Sequence, residues 1–104
     1  MAQFSVYQNI NPTTRNAFPL LLDVQADLLS DLRSRVVVPL RPLNAQSIPL
    51  TRLTPVFEIL GARYLMLTPQ LAGVALSALG AEAGSLRDHR TEIVAALDML
   101  VVGI

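Results

Sequence analysis

His89 is the first residue to test for chemistry, because it is the only histidine in the chain. A metal site needs three or four ligands, and one imidazole with scattered carboxylates does not supply them. Carboxylates approach each other in sequence at Asp23 and Asp27 and again at Asp88 and Glu92. The second pair is spaced i,i+4 near the start of an expected helix, where negative charge is favoured by the helix dipole. Both pairs are read as structural. No serine lies in a G-x-S-x-G context, and no phosphate-cradling G-x-x-x-x-G-K-[ST] or G-x-G-x-x-G run occurs. There is no cysteine, which removes disulfides and thiolate zinc sites. The reading is no catalytic residues, no metal and no cofactor. What remains is a binding surface at the end of the chain, Val101-Val102-Gly103-Ile104, where polar, fraying residues are more usual.

That surface needs a helix to carry it. From Ser85 onward Leu86, Ile93, Leu97 and Leu100 fall on one stripe at helical spacing. The stripe is the expected core face, with Ser85 and Asp88 as the expected capping box. Opposite it lie Asp88, Thr91, Ala95, Asp98 and Val102, with Glu92 and Met99 beside them. Val102 and Met99 are therefore apolar residues directed outward.

Strands precede the helix. Gln3 to Tyr7 alternates, and Phe18 to Gln25 alternates at its end, which predicts a hairpin around the turn-forming Asn9-Ile10-Asn11-Pro12. Ala26 to Asp31 places two leucines between carboxylates, in a stretch too short for a helix of its own. Arg35 to Leu40 is a β-branched run closed by Pro39, and residues 41–55 form a long proline-containing loop. Val56–Leu60 and Arg63–Thr68 are two strands around Gly61-Ala62. Val74 to Leu79 is assigned to strand over helix, and Ala81 to Gly84 to loop. Many strands and then one terminal helix define an α+β chain, an antiparallel sheet packed on a single helix.

The totals set the scale. One hundred and four residues fit one domain spanning 1–104. Hydrophobic residues make up 52% and charged ones 15%, well below the roughly 25% charged of an average protein. So few charges leave apolar surface to cover, and a homodimer is expected. Net charge is zero, and all eight basic residues are arginines with no basic run, so no direct nucleic-acid surface is advertised. The N-terminus lacks the features of a signal peptide, no apolar run can span a bilayer, and a cytoplasmic protein is expected.

Several segments, in order over nearly the whole chain, resemble the CcdB toxins of toxin–antitoxin modules. They are Gln3-Phe4 with Val6-Tyr7, Asp23-Val24-Gln25-Ala26-Asp27-Leu28-Leu29, Arg35-Val36-Val37-Val38-Pro39-Leu40 and Tyr64-Leu65-Met66-Leu67-Thr68. The terminal set is Leu86, His89-Arg90, Ile93, Ala96-Leu97 and Gly103-Ile104. The resemblance implies an SH3-like antiparallel β-barrel (CcdB/MazF-like) with a small extra sheet and one C-terminal α-helix, as a homodimer. It also implies strand for Val74 to Leu79.

The implied activity is non-catalytic. Such a toxin binds the DNA gyrase A subunit and traps the state in which the enzyme has cut DNA and is joined to it, a shift of population toward the cleaved complex. A CcdA-like antitoxin neutralises it, and the two together repress their operon, with DNA touched only through the antitoxin. The implied gyrase-binding positions are Leu28, Leu29, Asp98, Val102, Gly103 and Ile104. Leu28 and Leu29 replace isoleucines of the best-known member, and Asp98 replaces an asparagine. Val102 stands where that member has a tryptophan stacked on a gyrase arginine, a contact worth about 1–2 kcal/mol when desolvated. Asp98 is expected to offer that arginine a carboxylate instead. The antitoxin is expected on the loop from Gln8 to Asn16, the loop after Leu40 and the terminal helix. Two alternatives stand beside this reading. A MazF-like ribonuclease toxin would need an arginine-led site, for which Arg35 and Arg52 are the nearest candidates. A decayed, non-toxic binding module would account for Val102.

Overall fold

In the computed structural model, which describes residues 2–103, the central strand is β3 (Ser34–Pro42). One edge pairs antiparallel with β2 (Leu20–Asp23), and β2 pairs with β1 (Ser5–Asn9). The other edge of β3 is shared. Its first half, Ser34 to Val37, pairs with β6 (Ala72–Ala75), and Leu40 to Pro42 pair with β5 (Ala62–Met66). β4 (Val56–Ile59) completes a hairpin with β5, and β7 (Leu79–Ser85) pairs with β1. The strand order is β4-β5-β3-β2-β1-β7, with β6 branching from β3. The sheet curls into a half-open barrel against one helix, α1 (Arg90–Val101), which is the expected fold class. The small extra sheet is this branch rather than a separate sheet.

The pattern of β2 and β3 follows from burial on both faces. Leu20, Leu22, Val38 and Leu40 join Val6, Phe57, Met66, Ile93 and Ala96 in the main core. Leu21 and Val37, pointing the other way, are also buried. They line a cavity of about 230 Å³ with Phe18, Pro39, Val74 and Ala78, so β6 and the 9–18 loop cover the second face. Leu20-Leu21-Leu22 and Val36-Val37-Val38 therefore need no alternation.

The structure corrects the expectations at three places along the chain. Pro39 does not close β3, which runs on to Pro42. The carbonyl of Pro39 accepts from Leu67 N at 3.0 Å. A strand residue's N and O lie on one side, so the missing N–H falls where β3 passes from β6 to β5, costing no bond to β2. Second, the Val74–Leu79 strand is broken: β6 ends at Ala75, a 3₁₀ turn covers Leu76–Ala78, and β7 begins at Leu79. The loop expected at Ala81–Gly84 lies inside β7. The close approach in this strand is at Gly80, just before that segment, where a Cβ would lie 2.7 Å from Ile10 Cγ2 and 3.0 Å from Gln8 O. Third, α1 starts at Arg90 rather than Ser85. Ser85 Oγ accepts from Arg87 N at 3.3 Å as a local turn, while the 3₁₀ turn Arg87–His89 has Leu86 at its N-cap and no side-chain cap, so the expected capping box is not formed among the described residues.

Candidate interaction site

The site begins in a buried polar network under an exposed turn. Asp23 and Arg35 are both fully buried. Arg35 Nε donates to Asp23 Oδ2 at 2.8 Å, and Nη2 lies 2.7 Å from the same oxygen. Asp23 Oδ1 accepts from Gln25 N at 3.0 Å. Gln25 then reaches two ways: Oε1 accepts from Val36 N at 3.1 Å, and Nε2 donates to Leu29 O at 2.8 Å. Asp27 Oδ1 accepts from Gln3 N at 2.7 Å. These bonds account for the Asp-Val-Gln-Ala-Asp segment, in which each alternate polar side chain anchors backbone. Asp23 and Asp27 are thus structural, as read.

On this base sits a single 3₁₀ turn, Asp27–Leu29, none of whose residues is buried. Leu28 is 94% exposed, and Leu29 and Leu32 are about half exposed. Three leucines of one short segment, Leu28, Leu29 and Leu32, are thus exposed together, and a grouped apolar exposure is what marks an interaction surface.

The second part is the end of α1. Ile93 and Ala96 are buried, with Val94 and Leu97 packed against the core. The expected core stripe is corrected at Leu100, which is 38% exposed. Met99, Val101 and Val102 are exposed as well, the last two at 79% and 63%. Exposed Met99, Leu100 and Val101 on successive positions of the last turn, beside Asp98, mean that the helix has run past the core that buries its earlier turns. Gly103 ends it with φ +82°, its N–H donating to Asp98 O and Met99 O at 3.1 Å each. This is a left-handed glycine cap. Asp98 is exposed on the final turn.

The residues singled out from the sequence therefore occupy two elements. Leu28 and Leu29 lie on the turn, and Asp98, Val102 and Gly103 on the helix end; Ile104 lies outside the described residues. No hydrogen bond or ion pair among the described residues joins the two elements. Gln25 was not among the residues singled out, although the polar alternation Asp23, Gln25, Asp27 was a signal available to find it.

Of the enzyme candidates, His89 and Arg52 both adjoin Glu92, whereas Arg35 is buried with Asp23. His89 is about half exposed, its ring 5.0 Å from that of Phe57 and its Nδ1 4.0 Å from Glu92 Oε2. No three His, Cys, Asp or Glu side chains cluster as a metal site among the described residues. Arg35 is sealed in its ion pair, whereas Arg52 lines an open cavity of about 230 Å³ with Pro55, Glu92 and Ala95. No helix among the described residues is long and apolar enough to cross a membrane.

The half-open barrel with a terminal helix is also the fold of an endoribonuclease in complex with its cognate antitoxin from Mycobacterial species. That solved chain is 17% identical, with a TM-score of 0.76 over 100% of this chain and 96% of the other. At that identity the likeness defines the class of fold. The family is defined by sequence: the CcdB protein family model matches residues 3–103. The chain belongs to the CcdB family, whose members are toxins of toxin–antitoxin modules.

Proposed function

We propose that this chain is the toxin of a type II toxin–antitoxin module, and that it binds the DNA gyrase A subunit and traps the gyrase–DNA cleavage complex. Leu28, Leu29, Asp98, Val102, Gly103 and Ile104 are the contact residues. The observation that carries the reading is Leu28, almost wholly exposed on a turn fastened by the family's own Asp-Val-Gln-Ala-Asp segment. Solvating an apolar side chain there has no value to the fold. Docking it, with the apolar end of α1, into a partner recovers that free energy.

The toxin acts by binding and carries out no chemistry. It works in the cytoplasm as a single domain, needs no cofactor or metal, and is neutralised by a CcdA-like antitoxin with which it represses its operon. It acts as a homodimer. No charged residue occurs between Arg63 and Glu82, and Leu71, Ala72, Gly73, Ala75 and Leu76 within that stretch are exposed. An uncharged exposed strip of this kind suits a second copy of the chain. A ribonuclease would instead need cationic side chains converging on RNA, whereas Arg35 is buried against Asp23 and Arg52 lines the open cavity beside α1.

The test is to incubate the protein with gyrase, ATP and supercoiled plasmid, denature with detergent, and look for linear DNA. Linear product above the gyrase-alone control establishes poisoning and shows that Val102 serves where tryptophan is usual. No linear product with gyrases from several bacteria rejects the reading in favour of a decayed module. Cleavage of RNA by the protein alone would turn it toward a ribonuclease.

A further inference from the structure

The turn that presents Leu28 has no buried residue of its own, so hydrophobic packing cannot hold its shape. Hydrogen bonds must, and they converge on one side chain. All four polar groups of Gln25 are engaged: N with Asp23 Oδ1, O with Arg35 Nη2 at 3.4 Å, Oε1 with Val36 N and Nε2 with Leu29 O. The amide therefore bridges the backbone of β3 to the backbone of the turn, across 11 positions on one side and 4 on the other. Within the turn the remaining bonds are short-range, Leu29 N to Ala26 O, Ser30 N to Asp27 O and Leu32 N to Leu29 O. They shape the turn but do not fix where it stands on the sheet. The other tie, Gln3 N to Asp27 Oδ1, is exposed, where competing water weakens it; the two Gln25 side-chain bonds are partly buried.

We propose that Gln25 is a positioning residue for partner binding. Its amide clamps the turn to β3, and the buried Asp23–Arg35 pair holds Gln25 in place, so that Leu28 is presented pre-organised. The binding part of this proposal rests on Leu28 being a contact residue. Pre-organisation removes the ordering cost from the binding step. Breaking the clamp should leave the barrel intact and loosen only the turn.

The test compares Gln25→Met, Gln25→Glu and Leu28→Ala, using amide hydrogen exchange and affinity for the gyrase A subunit. Gln25→Met keeps length and volume but loses both side-chain bonds. The expected result is faster exchange at Leu29, Ser30, Leu32 and Val36, by about 5- to 30-fold, the factor set by one to two net hydrogen bonds. Exchange in the core strands at Leu22 and Val38 should be unchanged, and affinity for gyrase A should fall several-fold. Gln25→Glu restores the donor only when protonated, so turn protection, corrected for intrinsic exchange, should return as pH falls from 8 to 5; the wild type should show no such dependence. That recovery is one a merely space-filling role would not produce, and it serves equally if Gln25→Met does not fold. Unchanged turn exchange in both Gln25 variants overturns the proposal. So does a loosened turn with unaltered gyrase affinity, provided Leu28→Ala weakens binding. If Leu28→Ala also leaves affinity unaltered while the turn loosens, the contact reading is what has failed, and the role of the clamp in binding falls with it.

Discussion

Replacing Arg35 by methionine is expected to be among the most damaging single changes in this chain. Both Arg35 and Asp23 are fully buried, and the guanidinium makes its two short contacts, 2.8 and 2.7 Å, to one carboxylate oxygen. Arg35→Met leaves that carboxylate buried without its cation, and breaking a buried pair in this way costs about 3–5 kcal/mol. At roughly 4–8 °C per kcal/mol for a domain near this size, Tm should fall by more than about 10 °C. The pair itself is worth much less than its rupture. Arg35 Nη1 is buried without a partner, so part of the desolvation cost is never recovered. Asp23→Asn combined with Arg35→Met removes both charges and keeps an oxygen for Gln25 N. The double variant should therefore regain at least about 2 kcal/mol relative to Arg35→Met alone. Urea melts of wild type, both single variants and the double variant, at one fixed protein concentration, measure this directly. Arg35→Met costing under about 1 kcal/mol, or a double variant no more stable than Arg35→Met, would refute the reasoning.

Three further changes separate local conformation from partner binding. Leu60 is exposed with φ +53° and precedes Gly61 at φ +78° in the two-residue β4–β5 turn, so Leu60→Asn should stabilise by about 1 kcal/mol, read as a higher urea midpoint. Gly80→Ala drives a methyl against Gln8 O and Ile10 at the β1–β7 crossing, and should cost about 1–3 kcal/mol by thermal melting. Asp98→Ala should weaken affinity for gyrase A in a titration at low salt, with an unchanged melting curve because the side chain is exposed; unchanged affinity would remove Asp98 from the contact set.

Much of the fold was legible along the chain because local pattern and tertiary demand coincide. Alternation in Gln3–Tyr7, the Gly61 turn and the helical spacing of Ile93 and Leu97 each predict the element observed, although Leu86 at the same spacing lies before the helix begins. Leu28 and Leu29 were reached by resemblance, since nothing in their own spacing distinguishes an exposed leucine from a core one. Tertiary structure alone decided the rest. Ala81 to Gly84 read as loop because glycine and alanine carry no strand signal, yet they lie within β7, where the preceding Gly80 leaves no room for a Cβ against Gln8 O and Ile10. Pro39 read as a stop, yet it lies inside β3 because its missing N–H falls at the fork between two partner strands. Leu100 fits the helix's apolar stripe, but periodicity cannot tell where the sheet beneath a helix ends, and there the last turn is left open to solvent.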